Sequence, residues 1–191
     1  MKADPLAATA AQLIDRLDRL VRSGESRHGL NPAQWEALRY LTRANRFSRT
    51  PAALAEYLGS TRGTVSQTLI ALEQKGYVAR VQSSRDKRSI DLDLTERAHA
   101  ELSGDPLNEL ASDIAASQSA DLDVVVMLLQ KTLSRALARN GGRPFGVCHT
   151  CRHFERSTAR SGSYARCRLL GEPLNREDSL AICIEQEAAN P

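Results

Sequence analysis

The sequence predicts a mainly α-helical chain with a small β-hairpin wing, an α+β arrangement. In it a winged helix-turn-helix sits between terminal helices and is followed by a small cysteine-rich module. Three observations predict this. Two short capped helical stretches stand back to back, "TPAALAEYLG" and "STRGTVSQTLIALEQKG". Two β-prone runs, "YVARV" and "SIDLDL", follow on either side of the polar turn "QSSRDKR". All four cysteines of the 191-residue chain lie beyond residue 147.

Each element follows from local pattern. Leu6, Ala10, Leu13, Leu17 and Leu20 recur at spacings of three and four, an apolar stripe on a helix over roughly residues 5–22. After "RSGESRHG", Asn31 is placed to cap a second helix, with Pro32 at its first position and Gln34 completing a capping box. Trp35, Leu38 and Leu41 form its buried face. Thr50 caps the third helix, Pro51 starts it, Leu54 and Leu58 face inward and Gly59 ends it. In the fourth, Val65, Leu69 and Leu72 are the inner positions and Gly76 stands at the C-terminal end. The second β-prone run alternates Ile90, Leu92 and Leu94 with Asp91 and Asp93. Thr95 caps a further helix, interrupted by "GDP" at 104–106 and resumed to about Ser117. Residues 120–139 form the last long helix, with Leu122, Val125, Val126, Leu129 and Leu133 inward. The terminal helices carry stripes that the wing domain, with its own core, does not cover, so a second copy is expected to cover them. "NGGRPFG" reads as a linker, dividing a domain of residues 1–140 from a module of residues 145–191.

Composition excludes more than it assigns. A net charge of +3 is too mild to identify a nucleic-acid partner unless the charges are clustered. "MKADPLAATAAQLIDRLDRL" lacks the unbroken apolar core of a signal peptide, and no run of about 18 apolar residues could span a membrane. A cytoplasmic location without a membrane partner is therefore expected. Thiols stay reduced there, so metal binding is a stronger reading of the cysteines than disulfides. No nucleophile–base pairing or carboxylate dyad suggests an enzyme.

The charges are clustered between Arg62 and Arg88. On the fourth helix Arg62, Gly63, Thr64, Ser66, Gln67 and Thr68 face away from the core positions. Small residues permit close approach to a duplex, hydroxyls meet phosphate, and Gln or Arg reads base edges. The hairpin turn adds Arg85, Lys87 and Arg88, with Arg80 at its base, and guanidinium groups there suit the minor groove or phosphates. By periodicity alone, a solvated polar face is an equal reading.

Residues 64–98, "TVSQTLIALEQKGYVARVQSSRDKRSIDLDLTERA", resemble the MarR family of transcription regulators. The family signature appears as Leu72, Glu73, Lys75, Gly76 and Arg80, then Asp86, Arg88, Leu94, Thr95 and Glu96. The resemblance extends over residues 5 to about 139, with Ala98 in place of the usual glycine. It implies a homodimer whose terminal helices interlock and whose two winged helices meet a pseudo-palindromic site on double-stranded DNA. It also implies that Asp86 braces the wing while Arg88 reaches the minor groove. Many members of that family sense a small molecule in a crevice between DNA lobe and dimer helices, so such an effector is a further candidate partner.

Cys148, Cys151, Cys167 and Cys183 read C-x2-C-x15-C-x15-C, enough for a four-thiolate metal site. Zinc ribbons use two C-x-x-C knuckles, which this segment lacks. The spacing, with Phe145, Phe154 and Tyr164 beside the ligands, resembles that of high-potential iron–sulfur proteins and of the small cluster-bearing subunits of benzylsuccinate synthase-type enzymes. That resemblance implies a [4Fe-4S] cluster. Zn2+ is the alternative, and thiol or disulfide switching a third reading. Six arginines (143, 152, 156, 160, 166 and 168) against Glu155 suit any anionic thiolate site. They also suit phosphate contacts or a solvated surface. His149 and His153 read as surface or outer-shell residues. Cys183 is expected on a short helix, with Leu180, Ile182 and Ile184 covering the site.

The sequence thus points to a MarR-type regulator responding through its cysteines to redox or iron–sulfur state. The module would act through the 120–139 helix from which it hangs. A MarR-type repressor with structural zinc and a small ligand is the nearer alternative. An electron-transfer accessory protein on a winged-helix scaffold is the distant one, and the retained Arg62, Gln67, Arg85 and Arg88 argue against it.

Overall fold

The computed structural model describes residues 4–25, 29–83, 85–117, 122–159 and 162–189. Arg160, the first two residues of the expected 120–139 helix and the Tyr164 side chain lie outside what is described.

Helix α1 runs Pro5–Glu25. Helix α2, Pro32–Arg43, starts with the reciprocal cap expected from its sequence: Asn31 accepts from the Gln34 N–H at 2.9 Å, and Gln34 accepts from the Asn31 N–H at 3.2 Å. Helix α3, Pro51–Leu58, is capped by Thr50 and closed by Gly59 in the left-handed conformation. Helix α4, Arg62–Gln74, is capped by Thr61. Its C-terminal end is a paired reversal: the Tyr77 N–H donates to the Leu72 carbonyl and the Gly76 N–H to the Glu73 carbonyl, both at 2.9 Å. Gly76 has φ 74°, which a side chain would strain, so a glycine here aims the chain into the hairpin.

Strands β1 (Val78–Gln82) and β2 (Ile90–Leu94) pair antiparallel, Val78 opposite Leu94 and Gln82 opposite Ile90. Of the three inward positions expected on β2, Leu92 is sealed and Leu94 half-buried. Ile90 is exposed, because the far end of the hairpin extends beyond the core. Helices α5 (Glu96–Ser103), α6 (Pro106–Ala116) and α7 (Leu122–Arg139) follow. Trp35, Leu38, Tyr40, Leu41, Leu54, Leu69, Leu72 and Leu92 form a fully enclosed centre. Arg39 on α2 ties the lobe to the terminal helices. Its Nε and Nη2 grip Asp105 at 2.7 and 2.5 Å, and its Nη1 meets Glu25 at the end of α1 at 2.7 Å.

Among the described residues, nothing covers the outer faces of α1 and α7. No residue of α7 is buried, and Leu122, Val125, Val126, Leu129 and Leu133, expected inward, are all exposed. Leu6, Leu13, Leu17 and Leu20 on α1 are exposed as well.

The C-terminal module is a three-stranded antiparallel sheet, β3 (Phe154–Ala159), β4 (Gly162–Cys167) and β5 (Glu172–Leu174), with the short helix α8, Arg176–Leu180. It is seated on the lobe. Phe145, in the segment read as a linker, is buried and meets Tyr40 and Tyr57 edge-on at 6.0 and 5.2 Å. It holds a left-handed φ of 45°, costing about 1–2 kcal/mol, which burial of an aromatic ring offsets. Cys183 is not on a helix. The chain leaves α8 at Ala181 in extended form, so Ile182 forms a parallel bridge with Ala44. The Ile182 N–H donates to the Arg43 carbonyl at 2.8 Å, and the Asn45 N–H to the Ile182 carbonyl at 2.9 Å. Ile182 thereby joins the winged-helix core rather than covering the cysteines, and Leu180 is exposed. The module meets the lobe along the loop after α2, not chiefly through α7 as the sequence suggested.

Candidate functional site

On α4, Arg62, Thr64 and Gln67 are exposed, and Ser66 and Thr68 are half-buried beside them. Thr64 Oγ1 lies 2.9 Å from Thr61 Oγ1, and Thr68 Oγ1 donates to the Thr64 carbonyl at 3.1 Å. Those two hydroxyls are partly engaged within the helix, which leaves Arg62 and Gln67 as its outward-reaching groups. At the hairpin turn Asp86 accepts from the Arg88 N–H at 2.9 Å, and its carbonyl accepts from the Ser89 N–H at 2.8 Å. The carboxylate therefore fixes the bend that presents Lys87 and Arg88 to solvent.

Arg80 and Arg85 are placed differently. Arg80 is half-buried, its Nε 3.3 Å from the Glu73 carboxylate, bracing β1 against α4. Arg85 folds back: its guanidinium carbon lies 4.8 Å from the Phe47 ring centre, and its Nη2 donates to the Arg46 carbonyl at 3.3 Å.

The four cysteines form no disulfide and line one small cavity with Val147, His153, Phe154, Leu174, Glu185 and Gln186. They come from three local structures. Cys148 opens a tight turn over Cys148–Thr150, Cys151 follows it, Cys167 ends β4 and Cys183 follows α8. Cys148 and Cys183 are buried, while Cys151 and Cys167 are half-exposed. Burial first, then the neighbouring Cys183, Cys151 and Cys167, push the Cys148 thiol up to about 12. A bound metal would reverse that preference, since it binds thiolate. As a donor set, four thiols on one cavity fit a four-thiolate group. Among the described residues, no group of three or more His, Cys, Asp or Glu is arranged to hold a metal ion.

The arginines of this segment tie the module together. Arg143 meets the Ile184 carbonyl and Glu185, Arg152 pairs with Glu187, Arg166 donates to the Gly171 carbonyl and Arg168 to the Arg152 carbonyl. His153 Nε2 lies 3.4 Å from Glu187, and His149 meets Phe154 edge-on. A separate crevice of about 600 Å³ opens between lobe and terminal helices, lined by Arg39, Arg43, Tyr57, Leu133, Arg143 and Phe145 among others.

Sequence reading missed the loop that joins the two sites. Ser48 is fully buried. Its carbonyl accepts from Tyr40 Oη at 2.6 Å and its hydroxyl from the Ile184 N–H at 2.9 Å. Burial, then the nearby Cys183, raise the Tyr40 phenol. Phe47 packs with Cys148 and Leu174, and Arg46 reaches the Pro173 carbonyl and Asp178. The available signal was an aromatic flanked by Arg43, Arg46 and Arg49 between the second and third helices.

A capped helix pair, a recognition helix and a charged hairpin define a winged helix-turn-helix DNA-binding fold. Residues 28–89 match the MarR family model. The transcriptional repressor MprA of Escherichia coli (strain K12) is 27% identical over 128 residues, spanning 65% of this chain and 70% of that protein. The reduced form of MarR from E. coli superposes with a TM-score of 0.52 at 26% identity, over 70% of this chain and 99% of that one. A MarR transcriptional regulator from Methanosarcina mazei shares the fold with a TM-score of 0.54 at 21% identity, over 69% of this chain and 98% of that one. Together these liken the winged-helix part of the chain to the MarR family of transcriptional regulators, a class of DNA-binding proteins rather than enzymes. The matched structures are covered almost end to end, so the remainder of this chain lies beyond the shared fold. No helix among the described residues is long and apolar enough to cross a membrane.

Proposed function

We propose that this protein is a dimeric, operator-binding regulator whose DNA affinity is set by a [4Fe-4S] cluster held by Cys148, Cys151, Cys167 and Cys183. The observation that carries the reading is the gathering of all four cysteines of the chain on one cavity, in a module seated directly on the DNA-reading lobe. Their C-x2-C-x15-C-x15-C order, without the second C-x-x-C knuckle of a zinc ribbon, is what favours a cluster over zinc. When bound, such a cluster supplies one-electron redox chemistry.

The chain's own residues do the rest. Arg62 and Gln67 on α4 read the major groove, with Thr64, Ser66 and Thr68 close to the backbone. Arg88 enters the minor groove, Lys87 holds phosphate and Asp86 keeps the turn that aims both. The apolar faces of α1 and α7 meet those of a second copy, placing two wings on a pseudo-palindromic duplex.

The test is the composition of protein purified without oxygen. Near-stoichiometric iron and sulfide with visible absorbance, lost in Cys148→Ser, is the expected result. One zinc per chain and no colour would replace the cluster with a structural ion. Sensing would then move to the 600 Å³ crevice, where a small molecule would lie against Tyr57, Leu133 and Phe145.

A further inference from the structure

We infer that Arg85 is a positioning residue of the wing, clamped by Phe47 so that one strut connects the four-cysteine site to the DNA-reading hairpin. The inference rests on the reading above, in which the cysteine site governs DNA affinity, and adds the route. Phe47 is 6% exposed and packs against Cys148 and Leu174. The same ring receives two guanidinium groups, with the Arg46 and Arg85 carbons 4.6 and 4.8 Å from its centre. Arg85 Nη2 donates to the Arg46 carbonyl at 3.3 Å and lies 3.8 Å from Asp91. Arg46 in turn donates to the Pro173 carbonyl at 2.6 Å and lies 3.5 Å from the Asp178 carboxylate. The Asp178 carbonyl accepts from the Cys148 thiol at 3.8 Å.

The loop that carries Phe47 is fixed. The Phe47 N–H donates to Asn45 Oδ1 at 3.2 Å, and Asn45 and Ser48 bond the extended segment that bears Cys183, at Ile182 and Ile184. A close-packed contact moves as a unit. A change of shape at Cys148 therefore displaces the Phe47 ring, and the ring displaces Arg85, two and three residues before Lys87 and Arg88. Arg85 turns back to donate to the loop at the Arg46 carbonyl and lies beside Asp91, rather than reaching out toward phosphate. That separates its role from that of the two tip residues.

The experiment is a double-mutant cycle on affinity for a duplex selected by the wild-type protein from a random-sequence pool, at fixed salt. Cys148→Ser should change affinity by roughly tenfold or more in the wild-type background and by less than about twofold when combined with Arg85→Ala. Arg46→Ala, which leaves every cysteine in place, should suppress the Cys148→Ser effect in the same way. Arg85→Lys, which keeps a cation for the ring, should restore part of it. Should Cys148→Ser fail to fold, chelator-treated and untreated protein are compared in the same backgrounds. A Cys148→Ser effect that survives intact in Arg85→Ala overturns the strut and leaves the sensor reading standing. No Cys148→Ser or chelator effect in the wild-type background overturns both.

Discussion

The winged-helix lobe and the cysteine module are held together by different means. The lobe has an enclosed centre of Trp35, Leu38, Leu41, Leu54, Leu69 and Leu72, with capped helices that stop where their sequences say. The module's own buried cluster is Phe47, Cys148 and Leu174, and one of those three belongs to the lobe. Its remaining ties are arginine contacts to carbonyls and carboxylates, and it places Phe145 and Ile182 in the other region's core. A segment of under 50 residues buries too little apolar surface to stand alone, so it needs docking, a bound metal group, or both. The lesson is that the cysteine segment borrows its stability from the winged-helix segment. A structural change in one is then felt in the other.

That contrast can be broken by mutation. The largest effect is expected from Trp35→Ala, which empties the sealed centre and removes the indole N–H bond to the Glu25 carbonyl. A loss of about 3–5 kcal/mol should appear as a lower urea midpoint, with all four cysteines becoming reactive together. Ile182→Ala should cost less, about 2 kcal/mol, and act unevenly. Thiol reactivity of the module should rise while helical circular dichroism from the lobe persists. Equal loss of both signals would mean that the two regions form a single cooperative unit.

Smaller effects sharpen the comparison within the lobe. Arg88→Ala should abolish duplex binding in a gel-shift titration at fixed salt while the dimer stays intact by size-exclusion. Unchanged affinity would remove Arg88 from the interface. Lys87→Ala should weaken binding only a few-fold, across all sequences alike, and lower the slope of log affinity against log salt by about 1.

Legibility followed range. The Asn31–Gln34 box, the Thr50 cap and the Gly76 reversal depend on neighbours within five residues, so the sequence displays them directly. The four-cysteine cavity was legible as a set because cysteine is rare and concentrated here. The seating of the module was not. Its bonds join Ser48 to Ile184 and Arg46 to Pro173, more than a hundred residues apart, and no local periodicity encodes such a pair. Ile182 and Ile184 were visible as apolar, but which core they serve depends on the extended turn at Ala181. Arg85 and Arg80 read like Arg88 in the sequence. Only the positions of Phe47 and Glu73 distinguish a bracing guanidinium from a reading one.

The most direct test of the account compares operator affinity of the metal-loaded dimer with that of the same dimer after chelation, at one salt concentration and with oxygen excluded. The account predicts that the two differ by tenfold or more. Identical affinities, with both samples dimeric and folded, would contradict it and leave the cysteine module a structural clip on a winged-helix regulator.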